Sequence, residues 1–272
     1  FFNKRFTQEN LMAKTVADVM KMVKENEVKF VDFRFTDTRG KQQHTTVPVS
    51  HFDEDKFISG HAFDGSSIAG WKGIEASDMQ LIPDPNSANI DPFFEETTLI
   101  LTCDVIEPSD GKAYDRDPRS IAKRAEAYLK ASGLGDTAYF GPEPEFFIFD
   151  GVRWSTEPNH TFYEIEEYEA PWNTGSKLEG GNRGHRPTVK GGYFPVPPVD
   201  STQDMRAEMS LILESLGIPV EVFHHEVAGA GQNEIGTRFS TLVERADWTM
   251  LQKYVIHNVA NAYGKTATFM PK

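Results

Sequence analysis

Hydrophobic and polar positions in the first part of the chain predict one short helix followed by several strands. Thr15–Asp18 has the spacing of a capping box, with Asp in the place that Glu or Gln usually takes. An amphipathic helix follows, because one helical face collects the apolar side chains of Val16, Val19, Met20 and Val23. The sequence therefore predicts a helix that begins near residue 15.

Three extended runs follow this helix. Val31, Phe33 and Phe35 alternate with polar residues, and the turn sequence Asp37–Gly40 comes next. Residues 44–49 can return as the second strand of a hairpin, and residues 97–105 form a further strand. One helix with mixed strands predicts a small α+β domain over residues 1–115.

Residues 116–272 are predicted to contain longer helices between strands. Asp117 is a favourable N-cap, Pro118 suits the first helical position, and Gly133 ends that helix. Two further helices are predicted over residues 202–216 and 241–264, and strands over residues 141–150, 219–226, 232–238 and 266–270. Residues 151–200 show no clear period and are predicted to be irregular, which in so long a stretch is usually functional.

Composition narrows the class of protein. Hydrophobic residues make up 39% and charged residues 25% of the 272 residues, as in globular proteins. A formal net charge of −13 without a basic stripe argues against nucleic-acid binding. No apolar run is long enough to span a bilayer, and the single cysteine, Cys103, fits a reducing compartment. We therefore expect a cytoplasmic protein that acts without a nucleic acid or a membrane.

Glu143 and Glu145 are the most informative pair of residues. They precede an apolar run that is typical of a buried strand, on which side chains two apart share a face about 6.5–7 Å apart. Two carboxylates in such a place repel each other unless a cation lies beside them. Hard divalent cations prefer oxygen ligands, whereas two solvated glutamates at a strand end are the simpler alternative.

A second acidic group is predicted around a hairpin. His224, His225 and Glu226 close one strand, Glu234 lies on the next, and a Gly-rich connection joins them. An antiparallel pairing can bring Glu226 and Glu234 together, and Glu145 would complete a group of three carboxylates suited to a divalent metal. A surface or satisfied core pair of histidines, joined to a plain turn, is the alternative.

Two Gly-rich loops are candidate ligand contacts. Phe63–Trp71 combines small residues with a carboxylate and an indole, and Gly184–Pro195 combines bases, glycines and an aromatic pair. The second loop lacks the Gly-Lys-Ser/Thr order of a Walker loop. Each is also consistent with an ordinary surface loop.

These strings together resemble the glutamine synthetase family in its bacterial type I form. They are Phe63–Trp71, Gly141–Phe147, Gly184–Pro198 with Asp200, and His224–Glu234. The resemblance covers essentially the whole chain, and Tyr163–Arg183 is similar to the longer variants of the family. It implies a β-grasp N-terminal domain and then the start of a catalytic α/β domain built on an antiparallel sheet or half-barrel.

The resemblance implies ATP-dependent ligation of ammonia to glutamate through γ-glutamyl phosphate. Such phosphoryl transfer needs cations that neutralise the spreading negative charge, here two Mg²⁺ or Mn²⁺ ions. Glu145, Glu226 and Glu234 match the ligands of one ion, and Glu143 matches a ligand of the second, whose other ligands the chain does not contain.

The same resemblance implies the small-molecule contacts. His224 matches a position that contacts glutamate and phosphate, and Glu221 and Phe239 match contacts to ATP. Family members assemble into two stacked hexameric rings, so self-association into a dodecamer is expected.

An ammonium site is implied at Asp64 and Ser67, with Tyr193 and Glu226 beside it. Asp64 would attract NH₄⁺ and take its proton as a catalytic residue, together with Glu226. In the family this loop reaches the active site of the adjacent subunit.

Two other functions remain open at this point. A γ-glutamyl–amine ligase would use the same metal and ATP machinery with an organic amine, although the intact Asp64–Ser67 loop favours ammonia. A non-catalytic relative that only assembles would gain little from clustered glutamates.

The chain is expected to be inactive by itself. The family's chain is longer, and Lys272 matches only the first position of its ATP-binding signature. We predict that the 272-residue chain releases no phosphate from ATP in response to glutamate and ammonium. Robust turnover in that assay would contradict the prediction.

Overall fold

The computed structural model describes residues 14–175 and 184–270, and the chain forms two compact units. The first unit runs to Phe140 and includes Ser240–Met250; the second comprises Gly141–Phe239 and the chain from Leu251 onwards. The helices are α1 (Val16–Glu25), α2 (Lys56–Ser59), α3 (Pro118–Ser132), α4 (Gln203–Ser215) and α5 (Leu242–Ala262). The strands are β1 (Phe30–Thr36), β2 (Gln42–Pro48), β3 (His61–Asp64), β4 (Asp78–Pro83), β5 (Asn89–Ile90), β6 (Thr98–Ile106), β7 (Tyr139–Phe140), β8 (Glu145–Phe149), β9 (Gly151–Glu157), β10 (His160–Glu166), β11 (Val220–His225), β12 (Gln232–Thr237), β13 (Ser240–Thr241) and β14 (Thr266–Thr268).

A mixed sheet forms the centre of the first unit. Its strand order is β2-β1-β6-β4-β3, and β5 also pairs with β6. The predicted hairpin is confirmed, since β1 and β2 pair antiparallel from Phe30 opposite Pro48 to Thr36 opposite Gln42. β1 pairs with β6 in parallel, whereas β4 pairs with β6 antiparallel.

The predicted capping box starts α1. Thr15 Oγ1 accepts the backbone N–H of Asp18 at 3.2 Å, and the Asp18 carboxylate accepts the N–H of Thr15 at 2.7 Å. Two residues of the predicted apolar face, Val19 and Val23, are buried in the core. Strand side chains supply most of that core, among them Val31, Phe33, Phe35, Met79, Leu81, Leu99 and Leu101.

The polar positions of β1 are buried as well. Asp32 and Arg34 alternate with the core residues, and both are almost inaccessible to solvent. Arg34 pairs with Asp32 at 2.8 Å and with Asp91 at 2.7 Å, so the burial of each charge is compensated by an opposite charge. Both faces of this strand are therefore inside the unit.

α3 begins and ends where its sequence predicts. The Asp117 side chain accepts the N–H groups of Arg119 and Ser120, Pro118 takes the first helical position, and Gly133 ends the helix with a φ of 72°. The cap also orients the buried Arg119 guanidinium, which contacts Asp84 and Asp104 at 2.6 Å.

Arg119 is the centre of an ion-pair network in the first unit. Its guanidinium also binds the carboxylate of Asp247, at 2.9 Å. Burial disfavours its charge, but the hydrogen bond and charge of Asp247, with the other carboxylates, raise the pKa of Arg119 above its usual value. One cation thus joins side chains from three separate parts of the sequence.

A four-stranded sheet forms the second unit, in the order β11-β12-β8-β14. On β8 the side chains of Phe146 and Ile148 are buried, whereas Glu145 and Phe147 are partly accessible on the other face. Ile235 of β12 is buried too. Apolar side chains of α4 and α5 in this unit are buried as well, including Met209, Leu213, Val255, Ile256 and Val259.

The prediction that residues 151–200 are irregular is wrong for its first part. β9 and β10 form an antiparallel hairpin with Glu157 opposite His160, joined by Pro158 and Asn159. Most of its side chains are exposed or only partly buried. Without a buried face the strands lack the apolar alternation by which strands are recognised, and the Pro-Asn turn is their main sequence signal.

Some sequence predictions lie outside the described residues. These are the part of Tyr163–Arg183 from residue 176 to residue 183, and Lys272. Among the helices that are described, none has the length together with the apolarity that crossing a membrane requires.

The Arg119 network predicts a large effect of a single substitution. We expect Arg119→Met to lower the free energy of unfolding by about 3 kcal/mol or more, because it leaves three partly buried carboxylates beside one another. Urea denaturation followed by circular dichroism measures this change. Arg153→Met is the matched control, since Arg153 pairs with Glu164 and Glu166 in an exposed position and its loss should destabilise the protein far less. Equal effects of the two substitutions would contradict the prediction.

Candidate metal centre

Three neighbouring strands place one imidazole and two carboxylates in a single row. His224 of β11 lies opposite Glu234 of β12, and Glu234 lies opposite Glu145 of β8. Directly opposed residues of antiparallel strands have Cα atoms about 4.5–5.5 Å apart, so their side chains interact. Two carboxylates in opposed positions destabilise a sheet unless a positive charge separates them.

Glu226 joins this row from just beyond the end of β11. The Nδ1 of His224 lies 3.6 Å from Glu226 Oε1, and its Nε2 lies 3.6 Å from Glu234 Oε2. Within the described residues, His224, Glu226 and Glu234 have ligand atoms within 4.8 Å of one another. The predicted proximity of Glu226 and Glu234 across the hairpin is thus observed, with His224 between them.

Glu145 borders this group on β8. Its carboxylate accepts a hydrogen bond from the side-chain amide of Gln232, and its backbone is paired with that of Glu234. Glu226 is held from the other side, because its carboxylate accepts the N–H of Val227 at 2.6 Å. The protein's own hydrogen bonds therefore orient two of the acidic side chains.

Glu143 does not lie on the strand, contrary to the sequence prediction. β8 begins at Glu145, and Pro142 and Pro144 flank the exposed Glu143. Proline has no N–H to donate to a sheet, so paired structure begins only after the second proline. The charge of Glu143 nevertheless helps to raise the pKa of Glu234.

The electrostatics of the group call for a cation. Burial raises the pKa of Glu234, the charge of His224 lowers it, and the charges of Glu226 and Glu143 raise it, so that it lies above its usual value. A raised carboxyl pKa means that the ionised form is disfavoured there. Carboxylate oxygens are the ligands that Mg²⁺ and Mn²⁺ prefer, so the donor set fits these ions.

An aromatic pair borders the group. Tyr193 and Phe194 stack with ring centroids 3.9 Å apart, and the imidazole of His224 meets the ring of Phe194 edge-on at 4.7 Å. Phe194 has a φ of 61°, which is uncommon for a residue with a side chain. Both aromatic rings remain more than half exposed, so they can contact a ligand.

A buried pair formed by His225 and Glu169, which was not predicted from the sequence, lies on the face of β11 opposite His224. His225 Nε2 lies 2.6 Å from Glu169 Oε2, and neither side chain is accessible to solvent. Burial lowers the pKa of His225, but the hydrogen bond and charge of Glu169 raise it by more, so its pKa lies above the usual value. The sequence offered one indication of this pair. Successive side chains of a strand point to opposite faces, so His225 was expected to face away from the side that carries His224.

The predicted nucleotide contacts lie at the other end of β11. The Glu221 carboxylate accepts a hydrogen bond from Arg238 Nε at 3.2 Å, and Phe239 follows Arg238 directly. Phe239 is 59% exposed, which leaves its ring available for stacking. Their role as ATP contacts remains a prediction.

The predicted ammonium residues belong to the first unit. Asp64 caps the short turn Gly65–Ser67 and accepts the N–H of Ser66 at 2.8 Å. Its carboxylate also accepts the hydroxyl protons of Ser66 at 2.6 Å and of Ser67 at 3.2 Å. These hydrogen bonds lower the pKa of Asp64, so its exposed side chain carries a negative charge at neutral pH.

Comparison with known proteins identifies the family. The profile of the glutamine synthetase beta-Grasp domain matches residues 27–108, and that of the glutamine synthetase catalytic domain matches residues 115–272. A Cupriavidus pinatubonensis protein named 3-hydroxylaminophenol mutase is 77% identical over 96% of this chain and 55% of its own length. The glutamine synthetase of Vibrio cholerae is 59% identical over 95% of this chain and 55% of its own.

A solved structure agrees with these sequence matches. The cryo-EM structure of Plasmodium falciparum glutamine synthetase superimposes with a TM-score of 0.87 at 26% identity, over 97% of this chain and 52% of that one. The chain thus spans about half the length of the relatives it matches. The expected fold, a β-grasp domain with a catalytic domain of mixed α and β structure, is confirmed. The chain belongs to the glutamine synthetase family.

Proposed function

We propose that this chain contributes the β-grasp domain and the metal-binding sheet of an ATP-dependent ligase that joins ammonia to glutamate. The observation that carries the proposal is the row of His224, Glu234 and Glu145 with Glu226 beside it. A half-buried group of this composition needs a divalent cation, and phosphoryl transfer to glutamate needs one as well. Membership of the family supplies the reaction.

Glu145, Glu226 and Glu234 would hold one ion, and Glu143 would contribute to a second. When bound, Mg²⁺ or Mn²⁺ neutralises the negative charge that spreads over the phosphate oxygens. The chain's own residues would orient the metal ligands. The side-chain amide of Gln232 donates to the Glu145 carboxylate, and the N–H of Val227 donates to the Glu226 carboxylate. Ligands held in this way cost little reorganisation when the ion and its substrates arrive.

His224 would contact glutamate and the transferred phosphate. Its ring nitrogens face Glu226 and Glu234, and its ring edge meets the aromatic pair. An imidazole at this position can donate a hydrogen bond to an incoming oxyanion. Glu221 and Phe239, at the other end of β11, are proposed to contact ATP.

Asp64 and Ser67 are proposed to bind ammonium, with Tyr193 and Glu226. The hydrogen bonds that lower the pKa of Asp64 keep it anionic, which suits the attraction of a cation. Asp64 would then accept the proton that ammonium must lose before its nitrogen can attack. Assembly into two hexameric rings is part of the same proposal, because the family places this loop in the active site of a neighbouring subunit.

A second candidate function comes from one relative. The protein named 3-hydroxylaminophenol mutase is more similar to this chain, at 77% identity, than the Vibrio cholerae synthetase, at 59%. The exposed rings of Tyr193 and Phe194 lie beside His224, and they offer an aromatic substrate a stacking surface. A γ-glutamyl–amine ligase is a third alternative, which would use the same metal row with an organic amine.

Metal binding tests the central claim. We expect the protein to bind Mn²⁺, and Glu234→Gln to weaken that binding at least about tenfold, because a neutral amide replaces a carboxylate ligand. Isothermal titration calorimetry with MnCl₂ measures the affinity. Glu214→Gln, an exposed glutamate on α4, is the matched control and should leave the affinity unchanged. A protein that binds no Mn²⁺ would sink the proposal.

Acceptor specificity separates the three activities. This assay uses the protein expressed from its own gene, not the 272-residue chain by itself. We expect its phosphate release from ATP and glutamate to depend on ammonium, and Asp64→Asn to reduce that release about 100-fold or more. Phosphate assays with ammonium or with methylamine as acceptor, and chromatography of 3-hydroxylaminophenol without ATP, measure the alternatives. Conversion of the hydroxylaminophenol without ATP, unaffected by Asp64→Asn, would favour the mutase. A preference for methylamine would favour the amine ligase.

A further inference from the structure

The imidazole of His225 lies among acceptors at both of its ring nitrogens. Nδ1 lies 2.7 Å from the carbonyl oxygen of Gly192 and 3.0 Å from that of Glu226. Carbonyl oxygens only accept, so Nδ1 carries a proton and donates it to both. Nε2 lies 2.6 Å from a carboxylate oxygen of Glu169, in the short range of charge-assisted hydrogen bonds.

The two carbonyl groups belong to the two segments that carry site residues. Gly192 precedes the aromatic pair, and Glu226 is a proposed metal ligand. Two backbone hydrogen bonds run beside the imidazole, from Gly192 N–H to Val227 O at 3.4 Å and from Phe194 N–H to His225 O at 3.4 Å. One side chain therefore fixes the spacing between the aromatic loop and the end of β11.

Glu169 extends the connection to a third segment. One of its carboxylate oxygens accepts the N–H of Gly231 at 3.0 Å, just before β12 and its ligand Glu234. The other accepts the N–H and the hydroxyl of Ser201, both at 2.7 Å. With His225, four donors thus converge on a carboxylate that is 0% exposed.

Close backbone packing shows that this spacing is tightly determined. A Cβ atom added to Gly192 would lie 2.4 Å from Glu226 O, and one added to Gly231 would lie 2.3 Å from Ile148 O. Distances this short exclude any side chain at either glycine. The loop, the end of β11 and the start of β12 therefore meet around the buried pair with no room to spare.

We propose that His225 and Glu169 are positioning residues that hold Glu226, the Tyr193–Phe194 loop and the start of β12 at the spacing that metal binding requires. Neither residue would contact the ion itself. Successive side chains of a strand point to opposite faces, so His225 lies on the face of β11 opposite His224, and Glu169 binds His225 on that side. Partners of this kind behind a metal site are worth roughly 10–100-fold in metal affinity. The inference rests on the metal binding proposed above for the same site.

The experiment compares Mn²⁺ affinity and amide hydrogen exchange in the intact protein. We expect His225→Gln and Glu169→Gln each to weaken Mn²⁺ binding about tenfold or more. Exchange of the amides of Gly192 and Phe194 should become faster in both variants, because their segment loses its anchor. The exchange measurement needs no metal, so it reports on the anchor even if the protein binds no Mn²⁺.

Asp32→Asn in the first unit is the matched control. Asp32 is also fully buried and pairs with an arginine at 2.8 Å, so its loss measures general destabilisation. We expect it to lower the melting temperature without changing Mn²⁺ affinity or exchange at Gly192.

Three outcomes decide the inference. Unchanged Mn²⁺ affinity and exchange in folded His225→Gln and Glu169→Gln overturn it, while wild-type Mn²⁺ binding leaves the proposed function standing. Wild-type protein without Mn²⁺ affinity overturns the proposed function, and unchanged exchange would then overturn the anchor as well. If both variants fail to fold, Ser201→Ala decides: it removes one donor to Glu169, and a several-fold loss of Mn²⁺ affinity supports the inference whereas an unchanged affinity overturns it.

Discussion

Negative charge concentrated on one row of an antiparallel sheet is the constraint on which the second unit depends. Glu145 and Glu234 are directly opposed, Glu226 comes within 3.6 Å of the histidine beside them, and Glu143 adds its charge from the preceding loop. Such a row opposes folding unless a cation balances it or the carboxyl groups take up protons. The raised pKa of Glu234 expresses this conflict. The metal ion that we propose for this site would balance the charge arrangement.

Two charged groups of the first unit are arranged in the opposite way. In the first unit Arg119 is surrounded by Asp84, Asp104 and Asp247, and Arg34 lies between Asp32 and Asp91. Each of these groups contains its own cation, so it needs nothing from solution. The row of the second unit instead places the imidazole of His224 beside the carboxylates of Glu145, Glu226 and Glu234. This contrast sets the acidic side chains that an arginine balances apart from those for which we propose a metal ion.

The sequence was most informative where a local rule determines the structure. The capping box at Thr15, the Asp117 cap and the hairpin that joins Glu226 to Glu234 each depend on neighbouring residues, and each was predicted. Glu143 was misplaced because its two flanking prolines outweigh the apolar run that follows. Glu169 could not be found from the sequence, since its contacts with His225, Ser201 and Gly231 lie 56, 32 and 62 positions away. Its importance becomes visible only when the fold brings those segments together.

The function that we propose involves a cationic substrate, and the Asp64 turn offers it a negative charge. The relatives carry two names, glutamine synthetase and 3-hydroxylaminophenol mutase. Loops commonly vary between relatives, and the Asp64 turn is a loop of this chain that carries a negative charge. Three hydrogen bonds favour the ionised form of the Asp64 carboxylate, which suits the ammonium that we propose as its ligand. The aromatic surface of Tyr193 and Phe194 suits a cation as well as an aromatic ligand, since a cation also binds the face of an aromatic ring. The anionic turn at Asp64 is thus consistent with the ligase that we propose.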